Sequence, residues 1–110
     1  MKLYLDTSTG DTILKLDEKL YTEPLGRDTA EKIFQFIKEK LEANGKDWSD
    51  IEEITFMSGP GSFTGLRIGA AVVNTLADQL QIPLKNHHGK VVPLIIPDYG
   101  REANISKPKK

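Results

Sequence analysis

The sequence predicts an α+β fold built on one mixed sheet, antiparallel in its first strands and parallel in its later ones. Three observations predict it. Three short β-prone runs open the chain, joined by tight turns. Two long segments of helical periodicity follow, one before and one after a fourth apolar run. A Gly-rich stretch, "MSGPGSFTGLRIG", joins that run to the second helical segment.

"KLYLD" (2–6) is short and apolar enough for a first strand, and "TSTGD" carries turn chemistry. "TILKL" (12–16) and "KLYTE" (19–23) are two more strands around the tight turn "DE", which makes an antiparallel meander. The first helix is "RDTAEKIFQFIKEKLEANGK", with Asp28 as N-cap, Glu31 completing a capping box, and Asn44-Gly45 as its left-handed stop. Ala30, Ile33, Phe34, Ile37 and Leu41 form its apolar stripe. Phe36 falls roughly 120° away from that stripe, either as a solitary exposed aromatic or as part of a contact face for a partner. "IEEITFM" ends in a strand, and Ser62–Leu80 is the second helix. Phe63, Leu66, Ala70, Val73, Ala77 and Leu80 line one face of it, while Ile68 and Val72 make a second apolar face that one sheet cannot cover. "IPL" begins a fifth strand. "VVPLIIP" belongs at a sheet edge if it is a strand, because Pro93 lacks an N–H. The order β-β-β-α-β-α-β is that of a ribonuclease H-like sheet with helical crossovers. The single lobe is expected over residues 1–96, with a polar, basic tail over 97–110.

Composition narrows the function classes. A chain of 110 residues supports one compact domain, and 38% apolar with 28% charged residues is globular rather than disordered. A net charge of −1 gives no global field toward nucleic acid or an anionic membrane. The absence of cysteine removes thiolate metal sites and disulfides. With no long apolar run near the start, the expected location is the cytoplasm.

The Gly-rich stretch lies where a phosphate loop would lie, between a strand and a helix N-terminus. A Walker A loop needs Gly-Lys-Ser/Thr there, and the chain has Gly65-Leu66-Arg67. "GPGSFTG" also has one residue too many for the dinucleotide fingerprint. Gly65 and Gly69 stand four apart inside the helix, where each costs roughly 1 kcal/mol against alanine. That cost points to close backbone approach, of a partner helix or of the chain's own sheet. Asp6-Thr7-Ser8-Thr9 could hold a metal or phosphate, but an Asx or Ser/Thr turn into the hairpin is the stronger reading. His87 and His88, adjacent on an extended segment, point to opposite faces and make a poor chelate in a solvated turn. "KPKK" is a basic end.

"LYLDTST", "MSGPGSFTGLRIGAAVVNTLADQLQIPL" and "PDYGREANISKPKK" together resemble one family, TsaB, also called YeaZ. Its signature Gly-Pro-Gly-Ser-Phe-Thr-Gly-Leu-Arg-Ile-Gly stands uninterrupted at 59–69. The likeness runs from Met1 to about Leu84 and resumes at about Pro97. It implies the actin-like ATPase superfamily fold, of which this chain has one of two lobes. Gly26-Arg27 departs from the His-Ser that the family carries before its first helix.

The resemblance implies a non-catalytic partner that binds and activates TsaD, the subunit that transfers a threonylcarbamoyl group to adenosine in tRNA. A TsaE-like ATPase would belong to the same assembly, tRNA would be met indirectly, and the chain alone would form a homodimer. It implies no cofactor, metal or catalytic residue, and no membrane. In the family the first two helices meet TsaD as a four-helix bundle, or self-associate in its absence, which nominates Phe36, Gly65, Ile68, Gly69, Val72 and Leu76 as interface residues. The family motif itself comprises Gly59, Pro60, Gly61, Ser62, Phe63, Thr64, Gly65, Leu66 and Arg67. Two readings compete with this one: a nucleotide-binding phosphotransfer enzyme acting as a homodimer around Asp6, and a metallopeptidase relic, which the lack of a helical His pair disfavours.

Overall fold

The computed structural model describes residues 1–98; the predicted tail beyond Asp98 lies outside the described residues. The strands are β1 (Lys2–Asp6), β2 (Thr12–Leu16), β3 (Lys19–Glu23), β4 (Glu53–Phe56), β5 (Leu84–Lys85) and β6 (Val91–Val92). The helices are α1 (Thr29–Ala43) and α2 (Phe63–Leu80). They form one sheet in the order β3-β2-β1-β4-β5-β6. The meander β1-β2-β3 is antiparallel, β4 joins β1 in parallel, and β5 joins β4 in parallel. The predicted order holds, with a short antiparallel β6 added at the far edge.

Period-2 alternation decides which face is covered. Leu3, Leu5, Leu14, Leu16, Ile54, Phe56 and Leu84 are buried under the helices. Tyr4, Ile13, Lys15, Glu53 and Thr55 point to the other face and keep some or much of their surface in water. On that face, burial first and the nearby Asp6 carboxylate second push the Tyr4 phenol above its ordinary pKa. α2 lies over β1, β4 and β5, α1 lies over β2, and the two helices touch. α1 therefore supplies the cover that the second apolar face of α2 requires: Val72 and Leu76 are buried within the chain.

The ends of α1 split the sequence expectations. Gly45 has φ 69°, and the N–H groups of Gly45 and Lys46 donate back to Glu42 and Leu41 at 3.0 and 2.9 Å. This is the Schellman closure that Asn44-Gly45 predicts. At the other end the capping box does not form. A 3-10 turn over Gly26–Asp28 leads into the helix, Thr29 Oγ1 donates to the Gly26 carbonyl at 2.7 Å, and the Asp28 carboxylate pairs instead with Lys32 at 3.6 Å.

The core stripe of α1 is also corrected. Its buried residues are Thr29, Ile33, Phe36, Ile37 and Leu41, a stripe turned by about 50° from the predicted one. Phe36, predicted off the stripe and nominated for an interface, is 5% exposed, whereas Phe34 is 43% exposed and packs edge-on to Trp48 at 6.3 Å. The reason is lateral: α1 lies over β2, and Phe36 on its β3 side joins the core cluster against which Tyr21 and Leu25 pack. Lys40 lies 5.7 Å over the Phe36 ring and 5.4 Å over Tyr21.

Past β6 the chain turns back onto the lobe. The Asn74 side chain brackets the Ile95 backbone, accepting from its N–H at 2.7 Å and donating to its carbonyl at 3.2 Å, and Ile95 is buried. The Asp98 N–H then donates to the Ser58 carbonyl at 2.6 Å. Truncating Phe36 to alanine should cost about 3–5 kcal/mol of unfolding free energy, and truncating Phe34 less than about 1 kcal/mol. Urea unfolding of the two variants checks this, and similar costs for both would return Phe36 to the surface.

Candidate functional site

β1 and β4 run side by side in parallel, so the segments that follow them leave the sheet together at one end. After β1 comes Asp6-Thr7-Ser8, and after β4 comes the Gly-rich stretch. The two are joined at three points. The Met57 N–H donates to the Leu5 carbonyl at 2.9 Å, the Ser62 N–H donates to the Ser8 carbonyl at 2.7 Å, and Thr7 Oγ1 donates to the Gly65 carbonyl at 2.6 Å. Thr7 and Ser8 are 1% and 8% exposed, so these bonds form inside the lobe, where an unpaired polar group is costly.

The glycines allow this approach. A Cβ on Gly61 would stand 2.5 Å from that of Ser8, and one on Gly65 would run into the Thr7 carbonyl. At Gly69 it would meet Thr7 Oγ1 and come within 2.5 Å of the Phe56 ring. Of the two readings of the helical glycine pair, packing of α2 on its own sheet is the one found, at both positions. Gly69 is therefore not a partner contact, because its bare face is spent on β1 and β4. Gly59, beyond a cis Gly59–Pro60 peptide, lies against the Asp98 carbonyl.

Ser62 is the predicted N-cap of α2, accepting from the Gly65 N–H at 3.2 Å. Its own N–H is taken by Ser8, so this part of the loop is closed to an anion. Asp6 is similarly engaged: its Oδ1 accepts from the Ser8 N–H at 2.8 Å and from Ser8 Oγ at 2.6 Å, which is the predicted Asx turn.

α1 and α2 begin at the same end of the lobe. A cleft of about 270 Å³ between their first turns is lined by Thr9, Gly10, Arg27, Thr29, Ser62, Thr64 and Ile68, among others. Of the interface residues nominated from the sequence, Phe36, Gly69, Val72 and Leu76 are buried in the chain itself. Gly65 is half-buried at the seam, and Ile68 is half-buried beside the cleft. Residues placed outward are Thr64, Arg67, Ala71 and Thr75 on α2, and Ala30 and Phe34 on α1. Phe63, predicted on the core face, is 57% exposed with the Arg67 guanidinium 5.5 Å over its ring.

The histidines are corrected too. Their rings lie against each other at 4.0 Å rather than on opposite faces, and His87 Nδ1 is 2.6 Å from Ser58 Oγ. Among the described residues no cluster of metal-ligating side chains forms, and no helix is long and apolar enough to cross a membrane.

An antiparallel meander extended by parallel strands, with both crossover helices on one face, is the ribonuclease H-like lobe of the actin-like ATPase superfamily. Within that class the chain matches the family model for tRNA N6-adenosine threonylcarbamoyltransferase (TsaD) over residues 22–91. It is 35% identical over 86 residues to the tRNA threonylcarbamoyladenosine biosynthesis protein TsaB of Haemophilus influenzae, covering 74% of this chain and 36% of that protein. It is 31% identical over 81 residues to the tRNA N6-adenosine threonylcarbamoyltransferase of Polynucleobacter asymbioticus, covering 74% of this chain and 23% of that protein. The crystallised YeaZ of Pseudomonas aeruginosa superimposes with a TM-score of 0.68 at 34% identity, over 77% of this chain and 42% of that one. The chain belongs to this threonylcarbamoyltransferase family, on its TsaB (YeaZ) side, and spans about a third of the length of the curated TsaB relative it matches over most of its residues.

If the glycines serve packing, Gly69→Ala should destabilise although alanine favours a helix by roughly 1 kcal/mol. The overpacked methyl is expected to outweigh that gain and leave a net loss of about 1–3 kcal/mol. Gly10→Ala, with nothing within 4 Å of its Cβ position, should be near neutral. Chemical denaturation of both variants checks the contrast; a stabilised Gly69→Ala would mean that α2 stands off the sheet.

Proposed function

We propose that the chain works in tRNA threonylcarbamoyladenosine biosynthesis as a non-catalytic subunit that binds and activates a TsaD-like transferase. A TsaE-like ATPase would share the assembly in the cytoplasm, and tRNA would be met through the complex. The observation that carries this reading is the use made of the motif at 59–69. Its glycines and the Asp6 carboxylate are engaged inside the lobe, so the family's most specific residues build a platform rather than a reaction centre.

The platform is the pair of touching helices that start at the same end of the lobe. Leu66, Gly69, Val73 and Ala77 hold α2 to the sheet, while Val72 and Leu76 are buried along its length. Ile68, Arg67 and Ala71 on α2 and Phe34 on α1 are the outward neighbours that a partner's helices would touch. Activation then follows from differential binding: a rigid helix pair that fits one arrangement of the transferase better than another shifts its population toward that arrangement. The names of the relatives support the pathway, and the exposed Phe34 supports the surface.

Co-purification with the TsaD-like protein of the same source tests the reading. The wild-type chain is expected to be retained. Ile68→Asp, which places a charge in the contact, should weaken binding by on the order of 2 kcal/mol, or about thirtyfold. Its melting temperature should stay close to wild type. Failure of the folded wild-type chain to bind would overturn the proposal.

A further inference from the structure

Four asparagines occur in the chain, and of these Asn44 alone is followed by glycine. That pair is the reactive one. Glycine has no Cβ to shield its backbone nitrogen, so this nitrogen can attack the asparagine Cγ and close a five-membered succinimide. We propose that Asn44 is a modification site, a spontaneous deamidation that the closed end of α1 holds back and that, once it has happened, keeps that end open. The step balances with water as the co-reactant. Gly45 N bonds to Asn44 Cγ, the Cγ–Nδ2 bond breaks, and Nδ2 leaves as ammonia with the proton that Gly45 N gave up. Water then opens the ring at either carbonyl and restores the N–H, giving aspartate or isoaspartate.

The fold blocks each part of that step. The ring needs Asn44 Cβ and Gly45 N on one side of the Cα–C bond. At ψ 9° it is the Asn44 nitrogen that eclipses Gly45 N, and the tetrahedral Cα carries Cβ well away from it. The Gly45 N–H is engaged too, donating to the Glu42 carbonyl at 3.0 Å. The leaving group is held as well: Nδ2 donates to the Tyr21 hydroxyl at 2.8 Å and to the Lys40 carbonyl at 2.7 Å. Attack therefore requires the last turn of α1 to open, with ψ of Asn44 rotating and these hydrogen bonds broken. Frayed ends open at lower free energy than core elements. The reaction thus samples this end of α1 rather than global unfolding.

The product does not fit the closed end. An aspartate oxygen in the place of Nδ2 meets the Lys40 carbonyl, acceptor against acceptor, so a hydrogen bond becomes a repulsion. Tyr21 can turn its O–H to the carboxylate, which recovers the other bond. The new negative charge also stands at a helix C-terminus, where the macrodipole disfavours it. Isoaspartate goes further. It routes the main chain through Cβ and so lengthens it by a methylene. The Gly45 and Lys46 N–H groups are then displaced from the Glu42 and Leu41 carbonyls that close the helix. With them goes the side chain that ties the end of α1 to Tyr21 of β3. A transient opening is thereby made permanent.

Peptide mapping by mass spectrometry of the full chain, incubated in mildly alkaline native buffer and in urea, tests this, with melting curves to confirm folding. Asn44 is expected to deamidate at least about tenfold more slowly in the folded wild type than in urea. Tyr21→Phe removes one partner of Nδ2 and should speed the native-buffer reaction about fivefold while leaving the urea rate unchanged. Gly69→Ala weakens the lobe at the Thr7 end of β1 and should leave the native-buffer rate at Asn44 near that of wild type, because the route is opening of the end of α1 alone. Asn44→Asp, which installs the product's side chain, should lower the melting temperature by about 4–8 °C. Equal rates in the folded and unfolded wild type, a Tyr21→Phe variant no faster than wild type, a Gly69→Ala variant as fast as Tyr21→Phe, or an Asn44→Asp variant that melts with the wild type would each overturn the proposal.

Discussion

The lobe depends on the contact between the end of β1 and the glycine seam of α2. Thr7 and Ser8 are buried polar residues: the segment that follows β4 takes the Thr7 hydroxyl and the Ser8 carbonyl, and the Asp6 carboxylate takes the Ser8 hydroxyl. Such a contact has no tolerance for side-chain bulk, because backbone and hydroxyl atoms occupy the places where Cβ atoms would stand at residues 61, 65 and 69. Two helical glycines, each unfavourable by itself, are offset by hydrogen bonds and ring contacts that only bare backbone admits.

From that seam the rest of the architecture follows. Once α2 is held close to β1 and β4, α1 can lie beside it over β2 and cover its second apolar face. The Asn74 side chain on α2 can then catch Ile95, and the returning segment reaches Ser58 and Gly59. The glycine seam, the helix pair and the returning segment are one packed unit. What that unit leaves outward on its helices is Thr64, Arg67, Ala71 and Thr75 on α2, and Ala30 and Phe34 on α1.

Much of this was legible in the sequence, and the failures have identifiable causes. The strand and helix order came from periodicity and turn chemistry, and the Schellman closure of α1 came from Asn44-Gly45. The Ser62 cap and the Asx turn at Asp6 followed from local rules that tertiary context left alone. Phe36 and Phe34 exchanged roles because a helical stripe fixes which residues share a face but not how far that face is rolled toward its neighbours. Gly65 and Gly69 were recognised as close-approach positions, yet spacing cannot say whether sheet or partner approaches. Nothing local marked Asn74, an ordinary polar residue in a helix, as the bracket for a segment 21 residues on. The His87–Ser58 bond likewise depends on where the β5–β6 turn falls against the end of β4.

The central claim is that residues 59–69 form an internal seam rather than an open loop, and the Ser62 amide reports on it most directly. Its N–H donates to the Ser8 carbonyl at 2.7 Å, a bond between the start of α2 and the end of β1 that breaks when the two part. Native-state hydrogen exchange should therefore find Ser62 protected to nearly the free energy of global unfolding, together with the core amides of β1 and β4. Exchange of Ser62 at the rate of an exposed loop, while those strands stay protected, would contradict the account.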